Sequence, residues 1–216
     1  MLNLKFSKGL RKFLLILWFP FPVFAYQIQV VDQDGNPVQD AVVAIPVGEV
    51  ADVSPQNAVM DQIDRMFVPR VLAVEQGRKV VFPNSDHIRH HVYSFSESKR
   101  FEIKLYKGVP TAPVTFDKDG LVVLGCNIHD SMIGYIFVSP WPSFKVTGQS
   151  GAVEFTSGHS QVAVWHPWVK DLKKPLMFDL KNEGNDRFYQ ISLELTPPKP
   201  VKNIKNKFRK YYNERR

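Results

Sequence analysis

Met66-Phe-Val-Pro-Arg-Val-Leu-Ala-Val-Glu-Gln-Gly-Arg-Lys-Val-Val-Phe-Pro-Asn-Ser-Asp86 contains two short apolar runs, Val71–Val74 and Lys79–Phe82, parted by Gln76-Gly77. Leu72 and Val74, then Val80 and Phe82, recur at every second residue. That is the period of a half-buried strand, and the glycine supplies the turn between two of them. The same texture runs outward in both directions. Further strand candidates are Tyr26–Val31, Ala41–Pro46, His90–Phe95, Lys99–Leu105, Val114–Phe116, Leu121–Leu124, Gly134–Val138, Ala152–Phe155, Gln161–Trp165 and Phe188–Leu195. Asp34-Gly35-Asn36-Pro37, Asp119-Gly120 and Ser150-Gly151 punctuate them as turns. Many short strands at regular spacing predict an all-β sandwich or barrel. The one helix expected is short, within Asn57–Met66, where Val59, Ile63 and Met66 would share a face.

The opening stretch fits FxPxxLxVxxGxxVxFxNxD, and by this it resembles the first hairpin of cupredoxins. The resemblance runs over 56–139 and implies a Greek-key β-sandwich. Gly125-Cys126-Asn127-Ile128-His129-Asp130-Ser131-Met132-Ile133-Gly134 strengthens it. Cys-x2-His-x2-Met between two strands is similar to the C-terminal ligand loop of type 1 copper proteins, in the short form found in amicyanin-like members. A compact loop between anchored strands can put a thiolate, an imidazole and a thioether around one ion. Such a site has two imidazoles and one thiolate in a trigonal plane with a weak axial Met, so a second His must come from elsewhere.

Asn84-Ser85-Asp86-His87-Ile88-Arg89-His90-His91-Val92-Tyr93 supplies it. Aligned with the cupredoxin pattern NxDxxPHNV, the ligand is His90, with Arg89 in place of the Pro and His91 in place of the Asn. That Asn normally ties the two ligand loops together. Strand alternation also offers a contrary register, with His91, Tyr93 and Phe95 on one face and His90, Val92 and Ser94 on the other. The ligand is therefore His90 or His91, in that order, with His87 third. Taken singly, a lone Cys or Met reads as core and a strand His as hydrogen-bonded to backbone. It is the conjunction of His90, Cys126, His129 and Met132 with the hairpin ahead of them that points to one copper ion. His159 and His166 have no such company and read as a loop residue and a packing residue.

The flanks carry a second resemblance. Val31-Asp32-Gln33-Asp34-Gly35-Asn36-Pro37-Val38-Gln39-Asp40-Ala41-Val42-Val43-Ala44-Ile45 looks like the first hairpin of a transthyretin-like or carboxypeptidase-regulatory β-sandwich. Lys145–Phe155 and Gln161–Pro167 look like its later strands. The resemblance implies a discontinuous accessory sandwich of 26–55 and 140–196, interrupted by a cupredoxin of 56–139. A single cupredoxin with β-rich extensions is the alternative.

The chain has 216 residues with 28 Lys+Arg against 21 Asp+Glu, a formal charge of +7. That charge sits at the ends. Lys5, Lys8, Arg11 and Lys12 precede the apolar run Phe13–Phe19, Pro20 and Pro22, and the small-residue end Val23-Phe24-Ala25. The run is far shorter than the ~20 residues of a spanning helix, so residues 1–25 read as a cleaved secretory signal and imply a periplasmic protein. The tail 197–216 carries a net +7 and reads as a solvated, disordered end; Phe208, Tyr211 and Tyr212 among its cations also suit contact with a membrane surface. The remaining body is acidic, at −4, which argues against nucleic acid as a partner.

A single cysteine excludes an intramolecular disulfide, a CxxC pair and a binuclear copper site bridged by two thiolates. No nucleophile or general-base arrangement is visible, so no enzyme is expected. What the resemblance implies instead is one-electron shuttling between a donor and an acceptor such as a periplasmic cytochrome or dehydrogenase. In cupredoxins electrons commonly pass through the exposed edge of the C-terminal His, here His129, with Ile133 and Ile88 nearby. Arg89–Phe95 and Lys99–Tyr106 also resemble exported bacterial proteins labelled "methylamine utilization protein". Copper delivery without redox traffic is the alternative function.

Overall fold

The computed structural model describes residues 25–47, 55–110, 112–156, 160–172, 174–180 and 187–198. The expected signal up to Phe24, the basic tail beyond Pro198 and His159 lie outside the described residues. Seventeen strands make up the described chain. A first segment gives β1 (Tyr26–Asp32) and β2 (Val42–Ile45). A central segment gives β3 (Ala58–Val59), β4 (Asp61–Ile63), β5 (Met66–Val68), β6 (Val71–Glu75), β7 (Arg78–Val81), β8 (His90–Phe95), β9 (Arg100–Tyr106), β10 (Val114–Phe116), β11 (Gly120–Cys126) and β12 (His129–Ser139). The last gives β13 (Ser143–Val146), β14 (Ala152–Phe155), β15 (Gln161–Trp165), β16 (Leu176–Asp179) and β17 (Phe188–Leu193).

The central strands form a sandwich of a five-stranded sheet, β6-β12-β11-β8-β9, and a three-stranded sheet, β10-β7-β3. The chain crosses between these sheets from β6 to β7, β7 to β8, β9 to β10 and β10 to β11, as a Greek-key sandwich requires. Alternate residues point inward and close a core of Val80, Phe82, Val92, Phe116, Val122, Leu124, Ile136 and Val138. Cys126 and Met132 belong to the same core. The fold is thus all-β, of the sandwich type that the sequence resemblance implied.

The first and last segments share two sheets of their own. One has the order β14-β1-β17, with β1 and β17 parallel, and the other β13-β2-β15-β16. Ile28, Val30, Val43, Val164, Trp165 and Leu193 fill the space between them. Strand β12 serves both cores through its period of two. Ile136 and Val138 face the central core, whereas Phe137 faces the other and packs 5.6 Å from the Trp165 ring. Arg70 adds a second tie, its guanidinium 4.8 Å above the Trp168 ring.

The helix expected within Asn57–Met66 is absent; the segment forms β3, β4 and the start of β5. Val59, Ile63 and Met66, the expected buried face, are exposed, whereas Met60, Gln62 and Phe67 are buried. The helical spacing of the first three is coincidental. The buried set is read by strand alternation, and one of its members is polar, which hides it from a hydrophobic pattern. Strand β16 was also not anticipated, and β13 extends the expected Lys145–Phe155 segment back to Ser143. β16 carries Leu176 and Met177 to the surface, so its apolar residues mark no core face.

Candidate metal centre

The loop that follows β11 is built on a break in strand register. β11 and β12 pair regularly from Gly120↔Val138 to Gly125↔Ile133, and then the register jumps to Cys126↔His129. Residues opposite one another in an antiparallel pair share a face, so the jump puts the Cys126 and His129 side chains together. Asp130, Ser131 and Met132 are the surplus residues on β12. Of these Met132 turns inward and is 1% exposed, in the core that also holds Cys126.

The second imidazole comes from β8, the neighbour of β11. Tyr93 pairs with Gly125, which brings the start of β8 alongside the loop. Gly125 is needed for this approach, because a Cβ there would lie 2.8 Å from Tyr93 Cζ. A second irregularity, between His90 and Val92 in the β8–β9 pairing, marks where the strand begins. His90, Val92 and Ser94 all point into the core. His90 Nδ1 lies 3.8 Å from Cys126 Sγ, and His129 Nδ1 lies 3.7 Å from the same sulfur. The three donor atoms are all within 4.8 Å of one another.

His91 and His87 stand apart from this group. His91 lies on the opposite face of β8, ringed by Tyr93 and held through Nε2 to Glu102 Oε1 at 2.8 Å. It therefore does not tie the ligand loops as an Asn would. His87 is exposed in a shallow depression with Asp64, Arg65, Asp86 and Ile88. His166 is buried in the other sandwich, where its Nε2 donates to the Gln39 carbonyl and its Nδ1 accepts from the Trp168 N–H, both at 3.2 Å. Desolvation pushes its pKa down to about 4, against a smaller upward pull from the Gln39 bond and a further lowering by Arg70.

The polar residues around the three donors decide which nitrogens are free. Asp86 Oδ2 accepts from His90 Nε2 at 2.6 Å. A carboxylate can only accept, so the proton sits on Nε2 and the Nδ1 lone pair faces the sulfur. Burial would raise the Asp86 carboxyl, but the Arg65 N–H, His90 and the Asp64 N–H outweigh it and hold the group below the usual carboxylate range. At His129, desolvation and then the neighbouring His90 lower the pKa, with Arg65 adding to them and Asp86 opposing. Together the lowering effects favour the neutral ring that a metal requires. Sequence reasoning did not find Asp86 in this role, although its place four residues before His90 was visible.

The donor set fits a metal. A first-row ion with nitrogen at ~2.0 Å and sulfur at ~2.3 Å in a trigonal plane sets N···S separations of ~3.7 Å. The two observed separations, 3.7 and 3.8 Å, match that spacing. Two imidazoles, one cysteine sulfur and a buried thioether are donor types that suit copper.

No protein-family model and no curated protein sequence matches the chain. Solved structures do resemble it in part. A Cu-containing nitrite reductase from Thermus scotoductus SA-01 aligns at 26% identity over 44% of this chain and 25% of its own, with a TM-score of 0.37. A reduced Cu(I) form of an amicyanin variant aligns at 21% identity over 45% of this chain and 98% of its own, with a TM-score of 0.36. A purple cupredoxin from Nitrosopumilus maritimus aligns at 19% identity over 38% of this chain and all of its own, with a TM-score of 0.34.

Proposed function

We propose that the protein carries single electrons through one type 1 copper ion held by His90, Cys126, His129 and Met132. The observation that carries this reading is the convergence of two imidazole Nδ1 atoms on one buried sulfur at 3.7 and 3.8 Å. Copper bound there supplies a Cu(I)/Cu(II) couple. The residues do the rest. Cys126 would supply the thiolate, His90 and His129 the two imidazoles, and Met132 a weak thioether ligand that would tune the potential. Asp86 fixes the His90 tautomer, a task commonly given to carboxylates behind metal-bound histidines. Anchoring the ligands in two strands and one hairpin limits their movement when the charge on the ion changes. His129 is the only one of the four with an accessible edge, and Ile88, Ile128 and Ile133 are exposed on neighbouring segments. That edge is the route for electrons to a redox donor or acceptor protein.

On this reading 56–139 is the copper-carrying domain, 26–55 with 140–196 is an accessory sandwich, 1–25 is a removable signal, and the protein works in the periplasm. The tail 197–216 is a contact for an anionic membrane surface. On this reading the protein is an electron carrier rather than an enzyme.

The test is addition of Cu(II) to the mature protein, followed by visible absorption and EPR, with Cys126→Ser as control. An intense thiolate-to-copper band that bleaches and recovers reversibly supports the shuttle. Binding without that band, with metal passing readily to a chelator, supports copper delivery instead. Absence of binding refutes both.

A further inference from the structure

The hairpin β4–β5 lies outside both sheets of the central sandwich, yet it touches the segments that bear the ligands. Its two-residue turn, Asp64-Arg65, has φ of +52° and +59°. Two consecutive left-handed residues are the geometry of a type I′ turn, which favours Asn-Gly and penalises other side chains. Here the turn aims two adjacent backbone N–H groups at one carboxylate. Asp64 N donates to Asp86 Oδ1 at 2.7 Å and Arg65 N to Asp86 Oδ2 at 2.9 Å, and the same Oδ2 accepts His90 Nε2.

The hairpin is fastened to the His90 loop at further points. Asp61 Oδ2 accepts from Ser85 Oγ at 2.8 Å, and Ser85 N donates to the Gln62 carbonyl at 3.1 Å. The buried Gln62 side chain donates to the Pro83 carbonyl at 2.9 Å and pairs with the Tyr106 hydroxyl. On the other side Phe67 of β5 is buried against β12. A Cβ at Gly134 would lie 2.7 Å from Phe67 Cβ, so the strand presses on the backbone two residues beyond Met132.

We propose that the hairpin Asp61–Val68 is the positioning element of the metal centre, holding the His90 ring on Cys126 through Asp86 and seating the Met132 strand through Phe67. The inference rests on the copper reading above for the metal, but the hold on His90 is a property of the metal-free protein as well. Asp64 and Arg65 hold Asp86 through their backbone N–H groups, and none of the hairpin residues is a ligand.

Two double variants isolate that backbone. Asp64→Val with Arg65→Val puts β-branched residues where φ is positive and opens the turn. Asp64→Asn with Arg65→Gly favours the turn, and both pairs remove the same two charges. In the metal-free protein, NMR of the His90 ring should show a protected, downfield Nε2–H in the wild type. It should be lost in the Val pair and restored in the Asn-Gly pair. After Cu(II) loading, the Val pair should show a shifted thiolate band and copper loss to a chelator at least tenfold faster, with both returning in the Asn-Gly pair. A folded Val pair that keeps the ring proton, the band and the off-rate within twofold overturns the proposal. If the Val pair does not fold, Asp86→Asn replaces it: loss of ring-proton protection and faster copper loss support the proposal, and wild-type values for both overturn it. If the wild type itself gives no thiolate band, the copper reading fails, and the ring-proton comparison still decides whether the hairpin holds His90.

Discussion

Two histidines are almost sealed from solvent, His90 in the central sandwich and His166 in the flanking one, at 0% and 2% exposure. Their surroundings differ at one atom each. Both rings donate from Nε2, His90 to a carboxylate and His166 to a backbone carbonyl. At His166 the remaining nitrogen accepts the Trp168 N–H, so the ring is used up by the fold. At His90 the remaining nitrogen faces a buried sulfur that it cannot satisfy as a hydrogen-bond partner of ordinary strength. Burial alone therefore does not mark a metal ligand. What marks it is a free nitrogen that meets a second imidazole at one buried sulfur; the buried Nδ1 of His91 is equally free but does not join that group.

The largest effect expected from exploiting this difference is on metal binding. His90→Ala should abolish the thiolate-to-copper band, whereas His166→Ala should leave it unchanged and lower stability by about 1–3 kcal/mol, as loss of a buried hydrogen-bonded group does. Copper titration and chemical melts of both variants check this together.

Acid acts next, through His166. The His166 pKa is about 4 in the folded protein against an ordinary ~6.5 in the unfolded chain, so the unfolded chain takes up the proton first. This contribution is present above pH ~6.5 and is lost as pH falls toward 4, at most about 3 kcal/mol. Denaturant melts of the metal-free protein between pH 7 and pH 4 should show that loss in the wild type and a smaller one in His166→Asn.

Packing gives a smaller contrast. Gly134→Ala pushes into Phe67 and should cost about 1–3 kcal/mol, while Gly148→Ala meets nothing within 4 Å and should be near neutral. Thermal melts distinguish them. The smallest effect belongs to His91, whose bond runs to the exposed Glu102. His91→Asn should leave the copper band in place and change stability by no more than about 1 kcal/mol.

The sequence made the strands legible wherever apolar residues alternate, and it made Cys126, His129 and Met132 legible because their spacing is set by one tight loop. It left the choice between His90 and His91 open, since both lie on a strand and only its register says which face turns inward. The hairpin β4–β5 was misread for a related reason. Val59, Ile63 and Met66 mimic a helical face, while the residue that locks the segment in place is a buried glutamine. The hold on Asp86 was invisible as well, because it comes from backbone N–H groups about twenty residues upstream, and backbone donors leave no trace in side-chain patterns.

Spectroelectrochemistry of the copper-loaded mature protein tests most directly whether the centre built on His90, Cys126, His129 and Met132 carries electrons. The thiolate-to-copper band should bleach and return over repeated cycles, following a one-electron curve with the metal retained throughout. Release of copper on reduction, or a band that does not return, would contradict an electron-carrying role.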